Sequence, residues 1–230
     1  EGVELTSLKS NTIYGFKIRS RIPPPELVST DWSGDTDNYT WTHIETPGIS
    51  VQVYITSATV TAVGSFSNLG AGSSGINFGK DGSYAGWGTA TSHTFTGLTS
   101  NTSYTFQVKA RNGRSYETGV VSTGKDTLCG PPRNPNITNV TSSSLTLSWS
   151  APVGTVKYYQ IKENEVPIQD NYTLLSLNRT NLEYVNFRYT YKIYAVNKAN
   201  ETDEISSIAI STYTLCSIPP APQILSLIHI

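Results

Sequence analysis

The sequence predicts an all-β protein built from antiparallel sandwiches in tandem, and three observations lead to this fold class. A segment at residues 5–20 returns at residues 95–110 with leucine, tyrosine and alternating apolar residues at matching places. Inside each repeat the apolar residues alternate with a period of two, which is typical of half-buried strands. Threonine followed by proline closes the repeats, at residues 44–47, 125–132 and 212–220.

A leucine followed by a tyrosine at the head of an alternating strand marks each copy. Three pairs share this placement: Leu8 with Tyr14, Leu98 with Tyr104 and, one residue further apart, Leu182 with Tyr189. A repeat of this length with several short strands indicates one sandwich per copy.

The markers predict how the chain is divided. We expect residues 1–46 to be the C-terminal part of one module, residues 47–129 and 130–216 to be two whole modules, and residues 217–230 to be a linker with the start of another. The closing LSLIHI resembles the in-frame reading of a common sequencing adapter, which would place Leu225–Ile230 outside the protein. The alternative is that these residues form the first strand of a further module.

Strands are predicted where alternation is bounded by turn residues, and no stretch carries a helical stripe with a cap. The predicted strands lie at residues 57–63, 93–98, 104–110, 141–149, 156–164 and 204–214. In the strand at 141–149, Leu145, Leu147 and Trp149 share one face and predict a core. Val63 takes the place of Trp149 in the middle repeat, so we expect a thinner core there.

Three features together resemble fibronectin type III modules, which are immunoglobulin-like β-sandwiches: the tryptophan that closes LTLSW, the leucine before a tyrosine, and the threonine-then-proline exit. The resemblance covers almost the whole chain. It implies that the leucine and tyrosine form a corner between the two sheets, with the tyrosine hydroxyl bonded to nearby backbone. It implies a structural role for the three leucine–tyrosine pairs and for Trp149.

Charge and hydropathy exclude two classes of partner. The formal net charge is −1, only 14% of the residues are charged, and no cluster of lysine and arginine occurs. A nucleic-acid-binding face needs basic residues to meet phosphates, so we expect no nucleic acid partner. No run of about 18 apolar residues appears, so we expect no membrane span in this sequence.

Catalytic and cofactor motifs are weak. GAGSSG at residues 70–75 has the spacing of a dinucleotide-binding loop, but glycines continue through INFGKDGSYAGWG, where that motif requires a helix. His43, His93 and His229 have no metal-ligand partner at a suitable spacing. We therefore predict no enzymatic site, no cofactor and no metal.

Cys129 and Cys216 occupy the same place in consecutive repeats. Equivalent points of stacked modules lie roughly 30 Å apart, because strands of about nine residues rise by about 3.3 Å per residue. A disulfide needs Cα atoms within about 7 Å. We predict two free thiols tucked under the next module, the alternative being an intermolecular bridge.

Two segments are candidate binding loops. ARNGRS contains Asn112, Gly113 and Arg114 in the hairpin that carries an adhesion tripeptide in some fibronectin type III modules; the preferred interpretation is a type I′ turn at Asn112-Gly113. GSYAGWG offers Tyr84 and Trp87, which could stack on a sugar or a protein partner. The preferred interpretation is that Trp87 instead folds back over the core that lacks a strand tryptophan.

The leading functional prediction is a non-enzymatic array at the cell surface or outside the cell, acting as a spacer, stalk or adhesion scaffold. The first alternative is a carbohydrate- or protein-binding module, and the second is an accessory region of a secreted polysaccharide-degrading enzyme. Sequons for N-glycosylation are compatible with an extracellular location. They occur at Asn38, Asn101, Asn136, Asn139, Asn171, Asn178 and Asn200.

Overall fold

The computed structural model describes residues 2–19, 39–202 and 204–217. The chain divides into two compact units: unit 1 comprises Glu1–Leu98 and Ser103–Lys125, and unit 2 comprises Thr99–Thr102 and Asp126–Ile230. Regular structure in the described residues is β-strand, apart from one 3₁₀ turn at Glu204–Ser206, so the fold is all-β as predicted.

The first nine strands are β1 (Ile13–Gly15), β2 (Tyr39–Trp41), β3 (Gly48–Val53), β4 (Ser57–Val63), β5 (Gly75–Lys80), β6 (Ser83–Gly88), β7 (Ser92–Thr96), β8 (Ser103–Arg111) and β9 (Val121–Asp126). β1 and β2 form an antiparallel pair. The others form a three-stranded sheet of order β3-β4-β7 and a four-stranded sheet of order β6-β5-β8-β9.

The remaining strands are β10 (Arg133–Thr138), β11 (Leu145–Ser150), β12 (Tyr158–Glu163), β13 (Val166–Tyr172), β14 (Ser176–Arg179), β15 (Arg188–Val196) and β16 (Ser207–Tyr213). They repeat the same plan, with one sheet of order β10-β11-β14 and one of order β13-β12-β15-β16. Seven strands in two sheets correspond to an immunoglobulin-like sandwich.

The core of unit 2 contains the predicted tryptophan. Trp149 is 5% exposed and packs edge-on against Tyr159, with ring centroids 5.4 Å apart. Leu145 and Leu147, on the same face of β11, are buried in the same cluster. The strand register predicted from LTLSW is therefore confirmed.

The register predicted for β4 in unit 1 is wrong by one residue. Ala58, Val60 and Ala62 point into the core, whereas Val63 is 53% exposed. Ala62 thus takes the position of Trp149 with a much smaller side chain. Phe66 and Leu69, from the connection between β4 and β5, pack against the core cluster.

The hydroxyls of Tyr14 and Tyr189 make the hydrogen bond to nearby backbone that the resemblance implied for the corner tyrosines. The backbone N–H of Lys9 donates to the Tyr14 hydroxyl at 2.9 Å, and the N–H of Tyr184 donates to the Tyr189 hydroxyl at 3.1 Å. Tyr104 packs against the core of unit 1.

The corner leucines differ in burial. Leu98 and Leu182 are buried, but Leu8 is exposed in the part of the chain that the structure describes.

Some predictions fall on residues outside the described ranges. They concern Leu225–Ile230, His229 and the sequon at Asn38. Among the described residues, no helix has both the length and the apolar character needed to cross a membrane.

Candidate functional site

Each corner loop is held by one threonine, which we call the exit clip: Thr42, Thr127 and Thr214. The hydroxyl of each donates to a backbone carbonyl of the loop, at 2.6, 2.7 and 2.8 Å respectively. Each hydroxyl also accepts a backbone N–H of that loop, at 2.9, 3.0 and 3.1 Å. One side chain therefore satisfies two backbone groups in all three copies, and it ties the end of the last strand to the corner.

The position of the clips corrects the threonine that the sequence analysis assigned to the exit of the first copy. Thr42, His43 and Ile44 align with Thr127, Leu128 and Cys129, so the equivalent residue is Thr42 rather than Thr46 of IETP. Two residues after the clip, Ile44 lies in the core of the sandwich that follows it within unit 1.

Within unit 1 the corner loop of the first copy is bonded to the following sandwich through a buried asparagine. Asn11 is fully buried, and its side-chain amide donates to the carbonyls of Ser67 and Asn68 at 2.7 and 3.0 Å. Its Oδ1 accepts the backbone N–H of Gly113 at 3.0 Å. Asn68 in turn donates to the Asn11 carbonyl at 3.2 Å. We call these hydrogen bonds, together with the bond from Asn112 to Thr42 described next, the unit 1 joint.

The hairpin predicted as a binding loop is part of this joint. Asn112 is fully buried and donates from Nδ2 to the carbonyl of Thr42 at 3.0 Å. Its Oδ1 accepts the N–H groups of Arg114 and Tyr116, both at 3.0 Å. A Cβ on Gly113 would lie only 2.4 Å from the Trp41 ring, so the ring requires glycine there.

The type I′ interpretation of Asn112-Gly113 is wrong, because neither residue has positive φ. The positive φ in this hairpin is at Ser115, with φ 66°. Of the three candidate residues, Arg114 alone is exposed. The Asn112 side chain, which bonds to Thr42 at a separation of 70 residues in sequence, sets the hairpin geometry.

Unit 2 contains a similar set of contacts, except that the buried Oδ1 of Asn101 has no hydrogen-bond partner among the described residues. Asn101, which corresponds to Asn11, donates to the carbonyl of Thr155, and Asn197, which corresponds to Asn112, donates to the carbonyl of Thr127 at 3.3 Å. The Ser206 hydroxyl donates to the carbonyl of Cys129 at 2.8 Å. In both units, backbone carbonyls at or just after the clip threonine therefore accept hydrogen bonds from the sandwich that follows.

The two cysteines are free thiols, as predicted, but their surroundings differ. Cys129 is fully buried in the core of unit 2, at the position that Ile44 takes in unit 1. Burial disfavours the thiolate and raises the pKa of Cys129 to about 11. Cys216 is exposed, so the prediction of a buried thiol is wrong for this residue.

Tyr84 and Trp87 lie on a strand rather than in a loop. Trp87 pairs with Asn77, whose neighbours Ile76 and Phe78 face the core, so the Trp87 ring lies on the outer face of the sheet. The interpretation that Trp87 covers the core is wrong. Glycines in SYAGWG suggested a loop, but β6 is an edge strand that β5 holds in place.

Two cations line this outer face. The Lys109 ammonium lies 4.8 Å from the Tyr84 ring centroid and 5.3 Å from that of Trp87. The Arg111 guanidinium lies 4.4 Å from the Trp87 centroid, and Lys109 also pairs with Glu117 at 2.7 Å. Cations and rings at these distances attract each other, although the buried Nε of Arg111 has no hydrogen-bond partner among the described residues.

Comparison with known proteins gives a family match for one part of the chain. The model of the family described as fibronectin type III domain matches residues 130–211. A segment of two fibronectin type III domains from chicken tenascin is 18% identical, with a TM-score of 0.43, over 74% of this chain and 100% of that one. The central fibronectin-III array of RIM-binding protein is 16% identical, with a TM-score of 0.33, over 81% of this chain and 73% of that one.

Proposed function

We propose, from the fibronectin type III match of residues 130–211 and the same two-sheet plan in β3–β9, that this chain is a non-enzymatic spacer or adhesion scaffold. Its modules would span residues 47–129 and 130–216, after the exit of an earlier module at 1–46. The observation that carries the proposal is the joint. A spacer must transmit position from one module to the next, and a hydrogen-bonded joint with a buried apolar residue does so better than a polar linker.

The energetic argument follows from burial. The amide of Asn11 has both its donors and its acceptor engaged with the following sandwich. Removing such a group breaks three hydrogen bonds that are partly buried, and each such bond contributes about 0.5–1.5 kcal/mol. The unit 1 joint therefore opens rarely compared with a linker made only of solvated backbone.

Hydrogen exchange tests this joint directly. In the wild type we expect the N–H of Gly113 to exchange slowly, because it is bonded to Asn11. Asn11→Ala should accelerate this amide and leave amides of β4 and β8 unchanged. The exposed Asn136→Ala is the matched control and should change neither. Fast exchange of Gly113 in the wild type would contradict the spacer proposal.

We also propose an extracellular or cell-surface location. Five sequon asparagines are exposed and accessible to a glycan: Asn136, Asn139, Asn171, Asn178 and Asn200. The test is protease treatment of intact source cells, followed by detection of the native chain. Resistance to protease until the cells are lysed would contradict this location.

The aromatic outer face of unit 1 supports a second candidate, a protein- or carbohydrate-binding surface. Tyr84 remains 37% exposed, although its ring and that of Trp87 are engaged with Lys109. A cation–π contact at an exposed site contributes about 0.5–1 kcal/mol. Trp87→Ala should therefore destabilise unit 1 by about 1–2 kcal/mol. A stable variant that has lost retention on a polysaccharide column would favour the binding role.

A further inference from the structure

A groove of about 380 Å³ lies in unit 2, between the turn that joins β12 to β13 and the corner loop before β15. Its lining includes Val166, Tyr184 and Phe187 on the apolar side and Glu163 and Arg179 on the polar side. This volume is at the lower end of the range of about 300–1,000 Å³ for small-molecule sites.

The aromatic wall is exposed yet held in place. Tyr184 and Phe187 are 53% and 42% exposed, with ring centroids 5.3 Å apart. Phe187 also packs edge-on against the buried Tyr189 ring, at 5.1 Å. The Tyr189 hydroxyl and the Thr214 clip bind the N–H groups of Tyr184 and Phe187 respectively. The rings are therefore presented by an ordered loop, which reduces the entropy lost when a ligand binds.

Comparison of the three copies shows that the loop does not need these rings. The positions five and two residues before the corner tyrosine hold Lys9 and Thr12, Thr99 and Thr102, and Tyr184 and Phe187. All three loops keep the threonine clip, whether those positions are polar or aromatic. The aromatic pair is thus an addition to the loop rather than a requirement of its fold.

The polar wall is also specific to unit 2. Glu163 accepts two hydrogen bonds from Arg179, at 2.8 and 3.0 Å, and one from the Tyr191 hydroxyl at 2.8 Å. The equivalent strand pair of unit 1 is Lys80 with Phe106, which offers neither carboxylate nor hydroxyl. Arg179 presents five N–H donors in a planar fork, and the two bonds to Glu163 fix the orientation of that fork in the groove wall.

We propose that this groove binds a neutral oligosaccharide. The apolar face of a sugar ring matches the exposed rings, and its hydroxyls match planar donors and acceptors. The charges of Glu163 and Arg179 cancel, and Glu183 leaves one negative charge, so the lining does not favour an anionic ligand. This site is separate from the joints, and its existence does not depend on the spacer proposal.

An extended peptide is the competing occupant, and the sheet edge disfavours it. β13 is the edge strand beside the groove, where a peptide would add by backbone pairing. Pro167 within that strand has no N–H to donate, which interrupts such pairing.

Calorimetric titration of the whole chain with cellohexaose, chitohexaose and mannohexaose tests the proposal. At least one neutral probe should bind, and Phe187→Ala should weaken it about tenfold, which is typical of losing a central aromatic contact. Tyr184→Ala is a second variant in case Phe187→Ala alters the fold. Arg179→Lys, which keeps the charge and loses the planar fork, should also weaken binding.

The matched control is Leu174→Ala, an exposed apolar residue in the connection at the far ends of β13 and β14. It should leave affinity unchanged. The proposal is overturned if none of the three probes binds the wild type at millimolar concentration. It is also overturned if binding survives both ring variants, or if the groove captures extended peptides and no sugar.

Discussion

Replacing the buried clip Thr127 with valine removes one hydroxyl and keeps the branched shape. In the wild type that hydroxyl donates to the carbonyl of Thr99 and accepts the N–H of Thr102. Thr127 is fully buried, so water cannot replace either bond without the structure opening. A buried group left without its partner costs about 1–3 kcal/mol. Since a carbonyl tolerates the loss better than an N–H, we expect a total of about 2–4 kcal/mol.

The assay is hydrogen exchange followed by mass spectrometry, with peptides covering residues 99–104 and 126–130. Thr127→Val should raise exchange in both peptides, because the clip joins them. Thr127→Ser is the control: it keeps the hydroxyl and loses one methyl group, which costs about 0.8 kcal/mol. If the valine and serine variants lie within about 0.5 kcal/mol of each other, the clip contributes no more than an ordinary surface contact and our reasoning fails.

Three further predictions concern unit 2. Trp149→Ala should lower its free energy of unfolding by about 3–5 kcal/mol, since a large buried ring leaves a cavity; a loss below about 1 kcal/mol in chemical denaturation would contradict the core assignment. Tyr189→Phe should cost about 1 kcal/mol through the lost bond to the Tyr184 N–H, measured by the same denaturation. Native protein should show one reactive thiol, Cys216, and a second only on unfolding. Burial raises the pKa of Cys129 from 9.0 to about 11 in the folded protein. The stability that the buried neutral thiol contributes should therefore be complete below pH 9 and lost between pH 9 and 11. Cys129→Ala should reduce that loss without removing it, because burial also raises the pKa of Tyr159 and Tyr191 in the same unit.

Much of the fold could be predicted because alternation and turn residues are local signals. The face of β11 that contains Trp149 was readable from LTLSW, where large apolar residues alternate with small polar ones. β4 is harder, since its residues are all small and valine occurs on both of its faces, at Val60 and Val63. Only the packed structure, in which Ala58, Val60 and Ala62 are buried, shows which face is inside. A one-residue error there reverses the orientation of every side chain in the strand.

The joint could not be predicted, because its partners are far apart in sequence. Asn112 lies 70 residues from Thr42, and the dipeptide Asn112-Gly113 has a strong local preference for a hairpin turn. The buried amide overrides that preference by satisfying the Thr42 carbonyl. A signal was present: aligning Thr42-His43-Ile44 with Thr127-Leu128-Cys129 identifies the clip and the buried residue after it.

The repeated corner loop explains how one fold can support both connection and binding. Asn11, Asn101 and Asn186 occupy the same position, three residues before the corner tyrosine, with φ of 43°, 49° and 52°. Asparagine tolerates this left-handed backbone better than most residues, so the loop shape is set locally. In the first two copies the asparagine amide reaches backbone carbonyls of a following sandwich. In the third copy the same shape presents Tyr184 and Phe187 beside a groove, and the loop that serves as a joint elsewhere becomes the wall of a site.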